Sequence, residues 1–263
     1  MNLLDEIIAS KRKEIEVRRK QTSIDQLIKM PLFDKEKLSV SQAIKEGSGI
    51  IAEFKRCSPS AGKILDKDLE TVLGFYNENK VSGYSVLTDE PYFGGSLMDL
   101  QKAAAIANGP VLRKDFIIDE YQLFEAKANG ADAILLIAEV VDAYHAESLT
   151  TIAHSIGLEV LMEFHSAEEI EKINDSVDLI GVNNRDLKSL ETRIETSEKL
   201  IKQLPFGALK ITESGIHEVN QLKFLYDLGF EGALIGEGVL KNEALLSELT
   251  EAANHIKTVR YEN

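Results

Sequence analysis

One repeating pattern limits what this chain can fold into more than any other feature. From Gly49 onward, a short apolar, β-rich run alternates with a longer amphipathic stretch. The runs are GIIAEFKR from Gly49, GYSVLTD from Gly83, PVLRKDF from Pro110 and AILLIA from Ala133; LEVLMEF from Leu158, LIGVNNRD from Leu179, ALKITESG from Ala208 and GALIGEGV from Gly232 follow. Their starts lie roughly 20 to 35 residues apart, the spacing of one strand, one helix and two short loops. Strands buried on both faces read as continuous apolar runs, and AILLIA does so strongly. Between the runs sit helix-like segments such as LETVLGFYNENK, DEYQLFEAKANG and HEVNQLKFLYDLGF. Asp119 with Gln122, and Ser166 with Glu169, have the spacing of N-terminal capping pairs, and several helices run out at glycine, as at Gly130 and Gly157.

Eight such units predict an α/β fold of the (β/α)₈ TIM-barrel class, with residues 1–48 as an N-terminal helical extension packed on the barrel. An open doubly wound sheet is the alternative. It would carry a G-x-G-x-x-G fingerprint after its first strand, which GIIAEFKRCSPSAG lacks. No Pro/Ser/Gly-rich linker divides the chain, so residues 1–263 are expected to form a single domain. In the extension, Leu4, Ile8 and Ile15 keep near-helical spacing and predict an amphipathic helix. It is not a signal peptide, because Asp5 and Glu6 interrupt its apolar residues and its basic cluster follows them.

Composition narrows the function. At 44% hydrophobic and 28% charged residues, the chain can bury a sizeable core. A net charge of −14 opposes broad attraction to nucleic acid or anionic membrane, so neither is expected as a partner. An anionic substrate would need a local pocket of Lys, Arg and backbone N–H groups. Cys57 is the only cysteine, which forbids an internal disulfide and points to a reducing cytoplasm. No apolar run is long enough to span a bilayer, and the charge favours a monomer. Asn174-Asp175-Ser176 spells a glycosylation acceptor, read as chance without a secretory signal.

Polar residues cluster at the C-terminal ends of the strand runs, the end where barrel enzymes do chemistry. Alternation puts Glu53 and Lys55 on one face of the first run and Leu112, Lys114 and Phe116 on one face of the third. The fifth presents Glu163, the sixth Asn183 and Arg185, the seventh Glu213. A charge at a strand end is ordinarily where the chain meets water. Recurrence on five strands argues instead for convergence on one mouth, with groups suited to acid–base catalysis beside an anion site. Glu213-Ser214-Gly215 and Ile235-Gly236-Glu237-Gly238 end the last two runs. Their glycines let backbone N–H groups approach a phosphate, although tight turns alone need such glycines, and a short helix is expected from Glu237 to Leu240. Ser58–Gly62 and Pro91–Gly95 mix turn formers with glycine, as mobile covers do. Phe93 and Phe116 together suit a slot for a flat ring. The histidines His145, His154, His165, His217 and His255 show no metal-ligand spacing, and Cys57 reads as a bystander thiol.

At these residues the sequence resembles the indole-3-glycerol-phosphate synthase family. IIAEFKRCSPSAG, YFGGS, VLRKDF, LLIA, LEVLMEFH, IGVNNRDL, ITESGI and LIGEGVL match in order, and LLDEIIASKRKEIEVRR matches the family's opening helix. The resemblance implies the substrate 1-(2-carboxyphenylamino)-1-deoxyribulose 5-phosphate, with indole-3-glycerol phosphate, carbon dioxide and water as products, and no metal or organic cofactor. It implies Lys114 as general acid toward the ribulose carbonyl and Glu163 as the carboxylate facing the cationic intermediate. Such a lysine works near neutral pH if burial and neighbouring cations depress its pKa. Lys55 and Glu53 would hold the substrate carboxylate and assist dehydration, and Asn183 completes the catalytic set. Arg185, Glu213, Ser214, Phe93, Phe116, Leu135, Ile137 and Leu187 would bind substrate. Phosphate would fall to Lys55, Ser58, Gly215, Gly236 and the N–H of Glu237, whose side chain must turn away. A phosphoribosylanthranilate isomerase-like barrel and a non-catalytic phosphometabolite binder are the competing readings.

Overall fold

The computed structural model describes residues 2–174, 176–205 and 207–262; Asp175, the middle of the glycosylation acceptor, lies outside them. Eight parallel strands form a closed barrel: β1 (Ile50–Phe54), β2 (Gly83–Leu87), β3 (Val111–Lys114), β4 (Ala133–Ile137), β5 (Glu159–Phe164), β6 (Leu179–Asn183), β7 (Leu209–Glu213) and β8 (Gly232–Ile235). Each pairs with its successor, and β8 closes onto β1 with Ile50 opposite Ala233. Every one of the eight expected runs contains its strand. Alternation along them makes two cores. Ala52, Phe54, Val86, Ile134, Leu136, Val160 and Met162 face the helices. Ile51, Leu112, Leu135, Leu161, Leu179, Ile211 and Leu234 fill the interior.

The N-terminal segment packs against that interior with two of its helices. Helix α1 (Leu3–Gln21) adds Leu4 and Ile7 to the inner cluster, and the helix Val40–Glu46 adds Val40 and Ile44. At the opposite end from the site, Ser39 and Ser41 hydroxyls donate to Glu159, the first residue of β5, at 2.6 and 3.0 Å. The buried stripe of α1 differs from the expected one. Leu4, Ile7, Lys11 and Ile15 are buried, while Ile8 is only half-buried. Apolar spacing could not place a lysine in that stripe, because carboxylates on other elements are what make it tolerable there.

Asp119 and Gln122 form the expected capping box, and Glu169 accepts from the Ser166 N–H at 3.3 Å, ahead of a 3₁₀ helix at Ala167–Lys172. The two segments expected as covers have defined structure. Cys57–Ser58 pairs antiparallel with Gly62–Lys63, and Glu90–Phe93 forms a helical turn capped by Asp89. The helix expected at Glu237 runs to Lys241. Among the described residues, no helix is long and apolar enough to cross a membrane.

Candidate active site

The C-terminal ends of the strands open into one cavity of about 130 Å³. Its wall includes Glu53, Lys55, Lys114, Glu163, Asn183, Arg185, Glu213 and Ser214, so every polar residue expected from strand alternation faces it. Register explains their proximity: Ile137 lies opposite Glu163, and Asn183 opposite Glu213. The Lys114 ammonium sits 2.5 Å from Glu163 Oε2 and 3.2 Å from Glu213 Oε2. Asn183 Nδ2 donates to Glu163 Oε1 at 2.8 Å, while its Oδ1 accepts the Arg185 N–H at 2.9 Å. Lys55 pairs with Glu53 Oε1 at 2.6 Å.

Two buried carboxylates share one ammonium, and the sharing is unequal. Burial disfavours the charge on Lys114, but Glu163, Glu213 and Glu53 overcome it and raise its pKa above the ordinary lysine value. The depression expected for a lysine acid is therefore not found, because its nearest charged partners are carboxylates and not cations. Burial also works against Glu163, yet Lys114 and the hydrogen bonds from Lys114 and Asn183 hold its pKa below the ordinary carboxylate value. Glu213 is pushed up to about 8, chiefly by burial; the Lys114 charge opposes the rise and the neighbouring Glu163 adds to it. Neither Glu213 oxygen has an aligned hydrogen bond. The resting site thus holds a cationic lysine, an ionised Glu163 and a Glu213 that retains its proton at neutral pH.

The same cavity is also lined by Ser58, Gly215, Gly236 and Glu237. Ser214 and Gly215 adopt left-handed backbone, φ 66° and 81°, a turn that favours glycine. The Glu237 carboxylate pairs with Lys241 at 2.6 Å through one oxygen, and its other oxygen lies 3.6 Å from Arg185. Arg185 also bonds the Ser60 hydroxyl, linking the β6 and β1 loops. Among the apolar lining residues, Phe93 and Phe116 stand 6.1 Å apart at 38°, and Leu135, Ile137 and Leu187 line the same cavity.

Sequence reasoning missed two contributions. Leu3, Leu4 and Ile7 of α1 line the same cavity; their helical spacing was legible, but not the surface they would cover. On either side of Lys114, Arg113 and Asp115 belong to a buried charge network, and of the two only Asp115 also lines the cavity. Arg113 contacts Asp115 at 3.0 Å and Glu125 at 2.9 Å, while Lys11 contacts Asp115 at 2.9 Å and Asp89 at 3.0 Å. Asp115 is also bonded by the Thr88 hydroxyl at 2.5 Å, and Arg113 and Lys11 hold its pKa well below the usual carboxylate range against burial.

Other candidates stay outside this chemistry. Cys57 Sγ approaches the Tyr92 carbonyl at 3.6 Å. His165, Glu139 and Glu169 bring possible metal-ligand atoms within 4.8 Å of one another, a grouping that sequence spacing concealed. Lys188 already pairs with Glu139, and Glu169 accepts the His165 N–H at 2.9 Å.

Residues 4–251 match the family model described as indole-3-glycerol phosphate synthase. Proteins of that name from Bacteroides thetaiotaomicron and Salinibacter ruber are 46% and 40% identical to the chain. The alignments cover 91% of this chain and 93% of the Bacteroides protein, and 92% of each chain for Salinibacter. A third, from Thermoanaerobacter pseudethanolicus, is 34% identical with 98% of both chains covered. Among solved structures, a thiamine phosphate pyrophosphorylase from Pyrococcus furiosus superposes with a TM-score of 0.59 at 14% identity, covering 82% of this chain and 98% of its own. That likeness speaks to the barrel alone.

Proposed function

The chain belongs to the indole-3-glycerol phosphate synthase family, and from that premise we propose how its barrel mouth closes an indole ring. The reaction converts 1-(2-carboxyphenylamino)-1-deoxyribulose 5-phosphate to indole-3-glycerol phosphate, carbon dioxide and water. One observation carries the residue assignments: the Lys114 ammonium contacts both Glu163 and Glu213 in a cavity that is also lined by Ser58, Ser214, Gly215 and Gly236.

The ring carbon bearing the carboxylate attacks the ribulose carbonyl, and Lys114 donates to the oxygen as negative charge gathers there. Ring attack leaves a cation, which the ionised Glu163 stabilises in a closed, low-dielectric site. Carbon dioxide then leaves from that ring carbon and restores the benzene ring; loss of the hydroxyl as water together with a proton from the adjacent methylene carbon, assisted by Lys55 and Glu53, forms the double bond that completes the indole. A raised pKa makes Lys114 a weak acid at rest. When the intermediate's positive charge engages Glu163, the ammonium loses part of its counter-charge, and burial then favours release of its proton. Acid–base groups and fixed charge account for each step, so none is assigned to a metal or organic cofactor.

Arg185 and Asn183 are assigned to the substrate's carboxylate and hydroxyls. Phosphate is assigned to Lys55, Ser58 and the backbone of Gly215, Gly236 and Glu237. Phe93, Phe116, Leu135, Ile137 and Leu187 are assigned to the aromatic ring. Residues 1–48 are read as an extension of one barrel domain; a monomer follows from the net charge and a cytoplasmic home from the single cysteine.

Formation of the indole product can be followed by fluorescence, since the chain contains no tryptophan. Stoichiometric carbon dioxide release is expected. Turnover without it would favour an isomerase, and substrate binding without turnover would favour a non-catalytic binder; either result overturns the reading.

A further inference from the structure

The barrel interior is filled mainly by Leu and Ile, yet β6 places a glycine among them. Gly181 lies opposite Glu163 on one side and opposite Ile211 on the other. Its φ is not positive, so its backbone does not call for glycine. The space does. A Cβ built on Gly181 would stand 2.1 Å from Glu213 Oε1 and 3.1 Å from Leu161 Cδ1. The Glu213 carboxylate therefore lies over the bare backbone of β6, having crossed from β7 toward Glu163.

We propose that Gly181 is a positioning residue of this site: the slot left by its missing side chain lets Glu213 lie across β6, beside Glu163 and 3.2 Å from the Lys114 ammonium. The inference rests on the assignment of Lys114 and Glu163 to the chemistry. With any side chain at 181, Glu213 must withdraw, and Lys114 keeps Glu163 as its near counter-charge while losing the second carboxyl. The same device recurs across the cavity, where a Cβ on Gly236 would stand 2.5 Å from Glu53 Oε1. Two glycines thus make room for two carboxylates at the mouth. A void in a barrel core costs packing energy, and here buried carboxylates occupy the space.

The test is a set of variants measured for kcat, KM, pH profile and thermal stability. Gly181→Ala is expected to lower kcat roughly 10-fold with a smaller change in KM, the pattern of a disturbed acid–base group. The native protein is expected to show a limb near pH 8 from Glu213, and the variant's pH profile should lose or move it. Glu213→Ala empties the slot, so Gly181→Ala added to it should fold and cost no further activity. Native kcat and pH profile in Gly181→Ala would overturn the inference. So would a double variant well below Glu213→Ala, which also decides the matter if Gly181→Ala alone fails to fold. Normal turnover in Lys114→Ala and Glu163→Gln would overturn the role assignments and this inference together. Loss in those two with no effect at Gly181 overturns the slot alone.

Discussion

Lys11, on the N-terminal helix, places its ammonium 2.9 Å from Asp115, the residue that follows Lys114 in the chain. The same nitrogen lies 3.0 Å from Asp89, which caps the turn carrying Phe93. One buried cation therefore ties the extension to the backbone on which Lys114, Phe116 and Phe93 are mounted. Lys11→Met would leave Asp89 and Asp115 buried without it, a change that typically costs about 3–5 kcal/mol. Urea unfolding should show a loss of that order; a loss below ~1 kcal/mol would mean that the network does not depend on Lys11.

Lys114→Ala and Glu163→Gln should each cut turnover at least ~100-fold, within the range of general acid–base groups, with the fold preserved. Initial rates and circular dichroism on the same preparations check this. Near-normal rates in both would remove the assigned roles.

Arg185 joins Ser60 to the Glu237 side of the cavity and is assigned to the substrate's anionic groups. Arg185→Ala should raise KM roughly 10-fold while lowering kcat less, the signature of lost binding. Arg185→Lys should recover only part of it, since a lysine keeps the charge but not the planar fork. A pure kcat effect would place Arg185 in the chemistry instead.

Glu213 should make stability depend on pH in a stated direction. Its folded pKa is raised from 4.5 to about 8, so the folded protein binds a proton where the unfolded chain has released it. The stability this contributes is fully present below 4.5 and is lost as pH rises through about 8. Melting temperatures of the native protein should therefore fall relative to Glu213→Gln across that interval. Parallel curves for the two proteins would contradict the raised value.

Much of the site was legible because a parallel strand imposes a period of two. Once β1, β3, β5, β6 and β7 were placed, the side of Glu53, Lys55, Lys114, Glu163, Asn183 and Glu213 followed from position along each strand. The same rule set Arg113 and Asp115 apart from Lys114, although it could not say what they would meet. Segments without a period were read less well: Ser58–Gly62 holds one edge of a small hairpin, and Glu90–Phe93 is helical.

The succession of strands, the barrel class and the face presented by the charged residues at the strand ends were determined by the sequence alone, because hydrophobic period and turn chemistry are local. Only the tertiary structure decided that Leu3, Leu4 and Ile7 wall the cavity, that Lys11 is buried among carboxylates, and that Lys114 carries a raised pKa. Those outcomes depend on which charges and surfaces from distant segments come within a few ångströms of one another. Coulomb energy and packing are set by such distances, and no local pattern encodes them.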